Sequence, residues 1–248
     1  MSSGSGLLRG CVHGVLLYVL LFGLGLASVL WNLAAAVLHP LLPAARGTAL
    51  GRAAISRSYR FFWVVAQRVG MMRIDSTALE SLQAERSGLV IAANHPSMLD
   101  ALLIVACLPR GVCIMKAALM GNVFLGAGAR LARYIRNDSA RGMIRGAVAS
   151  VRDGAQLVVF PEGTRTVVPP VNAFMPGVTL IAHLAQVPIQ TVIIETESPY
   201  LGKGWPIWRP PAIPVTFRLR LGKRFAPQAE HAALLRELES YFRQELAR

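Results

Sequence analysis

The chain has 248 residues, 54% of them apolar, and 26 Lys and Arg against 13 Asp and Glu give it a net charge of +13. This apolar content excludes an intrinsically disordered protein, and the length suffices for one mid-sized domain with its own core. The three cysteines are too few for a disulfide scaffold and odd in number, and they lack the Cys-x-x-Cys spacing or Cys/His cluster of a zinc site, so Cys11, Cys107 and Cys113 are predicted to be reduced thiols.

The first predicted element is a long apolar helix. No charged residue lies between Arg9 and Arg46, and residues 15–38 are almost wholly apolar. A bilayer core needs about 20 helical residues, whereas the apolar region of a signal peptide has about 7 to 15. The stretch therefore predicts a membrane helix, which His39-Pro40 and Pro43 should end.

A second apolar segment, within residues 53–72, contains an aromatic cluster at 61–63 but is interrupted by Gln67 and Arg68. It is too short to span a bilayer alone, and its flanking arginines are typical of a helix in the headgroup region. Two arrangements remain open: a full crossing by residues 15–38, or a helical hairpin of both segments in one leaflet.

Half of the excess charge lies beside these apolar segments. Residues 1–74 hold seven Arg and no acid, whereas residues 75–195 hold ten basic and eight acidic residues. This distribution favours membrane lipid over nucleic acid as the partner. More arginines follow the apolar helix than precede it, so the positive-inside rule places the rest of the chain in the cytoplasm, against the inner membrane.

From residue 86 onward, short apolar runs alternate with helical stretches. The predicted strands are 89–93, 112–115, 134–135, 157–160, 189–194 and 215–221, and the predicted helices are 97–108, 118–131, 139–153 and 176–186. Strands separated by helices predict an α/β fold with a mostly parallel sheet flanked by helices. The predicted regions are a membrane-anchoring helical region (1–74), an αβ domain (75–226) and a C-terminal amphipathic helix (227–248).

Two polar motifs directly follow predicted strands, where α/β folds bind ligands. In the first, His95 and Asp100 are separated by four residues. Pro96 favours the first position of a helix, which would leave His95 outside the helix and Asp100 in its first turns. A His–Asp pair of this kind, with no nucleophile of its own, predicts a general base acting on a substrate hydroxyl.

The second motif is Phe160-Pro-Glu-Gly-Thr-Arg165, in which Glu162 and Arg165 lie three residues apart in a glycine-containing turn. Such a turn can present a carboxylate and a guanidinium to one ligand, and arginine suits the binding of a phosphate. An ordinary loop salt bridge remains the alternative.

Together these two motifs resemble those of the glycerolipid and lysophospholipid acyltransferases, the 1-acylglycerol-3-phosphate acyltransferase-like family, over about residues 55–225. The resemblance implies a glycerol-3-phosphate acyltransferase-like αβ domain. It also makes His95 the catalytic base and Asp100 its partner in an HX4D motif. The family's second motif binds the acyl acceptor, which by resemblance assigns Glu162, Gly163, Thr164 and Arg165 to substrate binding.

Two further family motifs match less closely. The resemblance makes Arg136 and Lys116 acceptor-binding candidates, because basic residues occur in the family at these positions after short strands. The fourth motif, at 187–192, lacks its usual second proline, which leaves the specificity of the pocket open. Residues 197–211 hold two tryptophans among prolines and predict an interfacial anchor, a lid or a rigid loop; this segment resembles a bacterial branch of the family.

These observations predict a membrane-bound O-acyltransferase of phospholipid biosynthesis. Acyl-CoA or acyl carrier protein would donate the acyl group, a lysophosphatidate-like lipid would accept it, and neither metal nor redox cofactor is expected. Two alternatives stay open: an acyltransferase of a specialised lipid or polyketide-like pathway, and a membrane-bound lipid hydrolase. The hydrolase is disfavoured because no Gly-x-Ser-x-Gly motif is present. A non-catalytic adaptor is disfavoured by the even charge balance of residues 75–195.

Overall fold

The computed structural model describes residues 3–247, and side chains from residue 12 onward. Cys11 therefore lies outside the described side chains, while Cys107 and Cys113 are free thiols, as predicted. The helices of this part of the chain are α1 (Ser3–Leu41), α2 (Ala44–Arg68), α3 (Asp100–Cys107), α4 (Gly126–Leu131), α5 (Ala140–Arg152), α6 (Gly177–Ala185) and α7 (His231–Leu246). The strands are β1 (Met72–Asp75), β2 (Leu89–Ala93), β3 (Gly111–Lys116), β4 (Ile135–Asn137), β5 (Gln156–Val159), β6 (Ile189–Glu195) and β7 (Val215–Phe225).

The strands form one sheet in the order β1-β7-β6-β2-β5-β3-β4. The strands from β2 to β6 are parallel, whereas β7 pairs antiparallel with β6 and parallel with β1. Strand β2 lies between β6 and β5, and all five of its residues are buried, as its continuous apolar run requires. The predicted α/β class with a mostly parallel sheet is confirmed.

Alternate residues of the strands face two separate cores. Ile91 of β2 belongs to the core shared with α2 and α3, while Val90 belongs to the core shared with α5, α6 and α7. The predicted C-terminal amphipathic helix is α7, whose Leu234, Leu238 and Phe242, four residues apart, are fully buried. Helices α1 to α3 thus lie on one face of the sheet, and α5 to α7 on the other.

Helix α1 is the predicted apolar helix. In the described part of the chain, Val12–Leu41 is long and apolar enough to cross a membrane, and little of its most apolar stretch is buried. It continues through Pro40, slightly further than predicted, because a missing N–H in the last turn costs only one helical hydrogen bond.

Helices α1 and α2 are both docked on the sheet domain. On α1, the Tyr18 hydroxyl donates to the Trp208 carbonyl, and the Asn32 Oδ1 accepts from Gly128 N at 2.9 Å. These contacts lie fourteen residues apart, about 21 Å along a helix. On α2, Ser56 Oγ donates to the Ala106 carbonyl of α3 at 3.1 Å. Helix α1 is therefore no detached anchor but lies along the domain.

Candidate active site

The two polar motifs meet at the carboxyl ends of neighbouring parallel strands. His95 lies two residues after β2, and Glu162 lies three residues after β5, which pairs with β2. This edge of a parallel sheet is where α/β proteins bind ligands. Directly before His95, the buried side chain of Asn94 bonds both the N–H and the carbonyl of Ile194, at 2.8 Å each, which fixes the end of β2 to β6.

His95 and Asp100 form a hydrogen-bonded pair, with His95 Nδ1 at 2.9 Å from Asp100 Oδ2. The same Oδ2 accepts from the Ser97 N–H at 2.7 Å. The expectation that Pro96 begins the helix is wrong, because α3 begins only at Asp100. The intervening residues instead form a turn that the Asp100 carboxylate closes, and this turn brings the imidazole back to the carboxylate.

Burial sets the protonation chemistry of Asp100. Its side chain is fully buried, and among the described residues its Oδ1 has no hydrogen-bond partner. Burial raises the pKa of Asp100 to about 6, and the hydrogen bonds from His95 and Ser97 offset only part of that rise. An ionised Asp100 holds the proton of His95 on Nδ1, which leaves Nε2 as a proton acceptor.

The imidazole is also held by an aromatic ring. The ring of Phe160, the first residue after β5, stacks on His95 with the centroids 4.0 Å apart and the planes 18° from parallel. His95 retains 18% side-chain exposure, so its ring is restrained but reachable. In the described structure, no hydrogen-bond partner occupies its Nε2.

The buried carboxylate of Glu162 binds the backbone next to the pair. Its Oε1 accepts from the His95 N–H at 2.9 Å and from Thr166 Oγ1 at 2.9 Å, and its Oε2 accepts from the Asn172 N–H at 2.8 Å. The Thr166 N–H in turn donates to the His95 carbonyl at 2.8 Å. Glu162, predicted to contact the acceptor, thus has donors on both oxygens and fixes the backbone of His95.

Arg165 is half-buried and binds the segment that follows β6. Its Nη1 donates to the carbonyls of Leu201 and Gly202, at 2.8 Å each. Next to it, Thr164 Oγ1 accepts from Lys203 Nζ at 3.2 Å, while Gly163 is exposed at a φ of +67°. One face of the second motif therefore lies against this segment, and its glycine turn faces solvent.

Lys116 and Arg136 lie at the same edge of the sheet but outside the hydrogen-bonded cluster. They stand at the carboxyl ends of β3 and β4, two and three strands from β2, which corresponds to about 10 and 14 Å. Both are exposed, and Arg136 Nε pairs with Asp138 Oδ2 at 3.0 Å. They form a basic rim to the site rather than part of its centre.

Several residues that support the pair had not been singled out from the sequence. These are Ser97, Phe160, Thr166, Asn172 and the carbonyl groups of residues 200–202. Phe160 belongs to the second motif and could have been singled out there. Asn172 and the carbonyl groups have no local sequence pattern, because their roles depend on how the folded chain brings them to the site. Within the part of the chain that the structure describes, no cluster of three His, Cys, Asp or Glu residues is placed to hold a metal ion.

The Acyltransferase family model matches residues 73–195, which include His95, Asp100 and the whole second motif. The match thus covers the part of the chain that holds both motifs, and the chain is an acyltransferase. No curated protein matches the sequence.

Among solved structures, the chain is similar to the 1-acyl-sn-glycerophosphate (LPA) acyltransferase, PlsC, from Thermotoga maritima. The TM-score is 0.71 and the identity is 20%, with 95% of each chain covered. At this identity the likeness establishes the fold alone.

Proposed function

We propose that this acyltransferase moves a fatty acyl group from a thioester to the hydroxyl of a lysophosphatidate-like acceptor in phospholipid biosynthesis. The observation that carries the proposal is the His95–Asp100 pair with its free Nε2, at the mouth of a site rimmed by Lys116 and Arg136. The similar T. maritima enzyme acts on 1-acyl-sn-glycerophosphate, which supports this class of acceptor.

In the proposed reaction, His95 Nε2 takes the proton of the acceptor hydroxyl as its oxygen attacks the thioester carbonyl carbon. The new C–O bond forms, and the carbonyl oxygen bears the negative charge. When the intermediate collapses, the C–S bond breaks and the imidazolium returns its proton to the leaving thiolate. Ionised Asp100 stabilises the imidazolium between these steps. No metal or redox cofactor takes part.

The charged rim supplies the proposed acceptor contacts. Lys116 and Arg136 are exposed cations at the sheet edge that holds His95, so they suit the phosphate of the acceptor. The turn of Glu162, Gly163, Thr164 and Arg165 forms the other wall. The donor is acyl-CoA or acyl carrier protein. With α1 in the bilayer, we place the enzyme at the bacterial inner membrane with its domain on the cytoplasmic side.

The test is a transfer assay on detergent-solubilised full-length protein. Lysophosphatidate is supplied with long-chain acyl-CoA or acyl carrier protein, and products are read by mass spectrometry. We expect phosphatidate, and a loss of about 10² to 10⁴ in rate for His95→Ala. Free fatty acid without phosphatidate would indicate the hydrolase, and wild-type turnover by His95→Ala would refute the assignment. His39→Ala, on α1, is the control histidine.

A further inference from the structure

Residues 199–209, here called the strap, follow β6 and lie outside the span of the family match. The inner end of the strap contacts both motifs of the site. The Tyr200 carbonyl accepts from Ser97 Oγ at 2.9 Å, and the Leu201 carbonyl accepts from the Met98 N–H at 3.0 Å. The second motif contributes Arg165, which donates to the carbonyls of Leu201 and Gly202.

The packing at this inner end leaves little room for movement. A Cβ at Gly202 would lie 3.0 Å from the Pro199 carbonyl oxygen and 3.4 Å from that of Pro96. Pro96 belongs to the turn that brings His95 to Asp100. A displacement of the strap therefore moves the turn on which the pair is built, since Ser97 bonds the strap through its hydroxyl and Asp100 through its N–H.

The outer end of the strap is apolar and exposed beside α1. The side chains of Ile207 and Trp208 are 56% and 72% exposed, and the Trp208 carbonyl accepts from the hydroxyl of Tyr18. On the same helix, Val19 and Phe22 are exposed as well. The tip of the strap thus adjoins the apolar surface of the candidate membrane helix, and tryptophan is enriched where protein meets the membrane interface.

We propose that the strap couples the lipid bilayer to the catalytic pair. Ile207 and Trp208 insert into the same membrane as α1, and Tyr18 fixes the tip of the strap to that helix. The carbonyl groups of residues 200–202 hold the two motifs in fixed positions relative to each other. The strap is thereby a membrane contact at its outer end and a positioning element for His95 and Asp100 at its inner end. The inference deepens the proposed function and rests on it for its kinetic tests.

The membrane contact is tested on full-length protein in phosphatidylglycerol/phosphatidylcholine vesicles, without reference to activity. Lipids brominated in the acyl chain quench tryptophan fluorescence, and the difference between wild type and Trp208→Phe isolates the signal of Trp208. We expect that signal to be quenched. A Trp208 signal indifferent to brominated lipid would overturn the membrane contact even if transfer proceeds.

The kinetic consequence is tested with Trp208→Ala, whose ring is exposed and whose loss does not endanger folding. Leu184→Ala is the matched control, because Leu184 is an exposed apolar residue of α6 on the opposite face of the sheet. We expect kcat/KM on long-chain lysophosphatidate in vesicles to fall about tenfold for Trp208→Ala, the size expected for losing one buried aromatic contact. Activity on a short-chain, monomeric acceptor should be retained. Equal losses on both acceptors, or none on vesicles, would contradict the proposal. A wild type without transfer on either acceptor would instead reject the proposed function.

The positioning role is tested with Ser97→Ala, against Ser81→Ala in a surface 3-10 helix, where Ser81 Oγ bonds the Ala78 carbonyl at 3.0 Å. We expect Ser97→Ala to lower kcat about tenfold at unchanged KM for the acceptor, and to shift the pH dependence of kcat. The reason is that the turn holding Asp100 loses its side-chain hydrogen bond to the strap. A lower melting temperature with an unchanged pH dependence would mean that Ser97 is merely structural and would overturn the positioning role.

Discussion

Asp100 is the group on which the protonation state of the site depends. Burial raises its pKa from 3.8 to about 6, so the ionised form needed to hold His95 dominates only above that pH. Protonation removes the negative charge that stabilises the imidazolium. We therefore expect kcat/KM to decline as the pH falls through about 6.

The titration of Asp100 can be followed directly. Infrared difference spectra of wild type against Asp100→Asn isolate the C=O stretch of the protonated carboxyl, and we expect its midpoint near pH 6. A midpoint near 4, the ordinary value for aspartate, would contradict this view of the site.

Kinetic measurements on a Glu162 variant can distinguish whether this residue positions His95 or binds the acceptor. Its carboxylate accepts from the N–H groups of His95 and Asn172 and from the Thr166 hydroxyl. In Glu162→Gln, one oxygen becomes an NH₂ that faces a donor, so the backbone of His95 shifts while the shape of the side chain is kept. We expect kcat to fall about tenfold or more with the KM for lysophosphatidate little changed.

A raised KM at constant kcat would instead mean that Glu162 binds the acceptor, as the family resemblance implies. Thr48→Val is a suitable control, since its hydroxyl bonds only the Ala44 carbonyl within α2.

Among the elements, the strands from β2 to β7 could be predicted from the sequence, whereas the edge strand β1 could not. Strand β2 coincides with the predicted 89–93 because both its faces are buried and its apolar run is continuous. Strand β1 was missed because Met72–Asp75 is only four residues long, too short for its alternation of apolar and polar residues to stand out. The predicted helix 118–131 is interrupted around Asn122, leaving a 3-10 helix followed by α4.

In the site, too, local features could be predicted from the sequence and long-range contacts could not. The His95–Asp100 pair follows from spacing after a strand, because both members lie in one turn. The bracing by the strap depends on backbone carbonyls that reach the pair from about a hundred residues away, and a carbonyl leaves no trace in the amino-acid sequence.

The packing of α2 on the domain gives a prediction about a single glycine. A Cβ at Gly51 would lie 2.7 Å from the Ala132 N and 2.9 Å from its Cα, both backbone atoms that cannot rotate away. Gly51→Ala should therefore separate α2 from the chain after α4 and lower the stability by about 1 to 3 kcal/mol. Gly23→Ala in α1, where nothing lies within 4 Å of the new Cβ, is the control and should be neutral or slightly stabilising. Melting temperatures of the two variants, measured in the same detergent, test this prediction. Equal melting temperatures would show that α2 is not tightly docked.

At the scale of the whole molecule, the chain has a net charge of +13, and exposed arginines lie on both faces of the sheet, on α2 and on α5. On the face of α1 to α3, α2 places Arg57, Phe61, Val64 and Arg68 at helical spacing on one exposed stripe. Arg52 is instead turned inward, where its Nε donates to the Ala132 carbonyl at 3.1 Å. The arginines that flank the apolar segments are thus partly structural contacts and partly a surface suited to anionic lipid.

Whether only the face of α1 to α3 contacts anionic lipid can be tested by removing the same number of positive charges from each face of the sheet. Arg57→Gln with Arg68→Gln removes two exposed cations from α2, whereas Arg141→Gln with Arg145→Gln removes two from α5 on the opposite face. An arginine near an anionic surface contributes about 1 kcal/mol, so the first pair should lower kcat/KM on phosphatidylglycerol vesicles on the order of tenfold at low salt. The loss should shrink at 1 M salt, where the Debye length is about 3 Å, and should be absent on phosphatidylcholine alone. If both double variants lowered kcat/KM equally, the effect would depend on the net charge of the protein, and membrane contact would not be restricted to the face of α1 and α2.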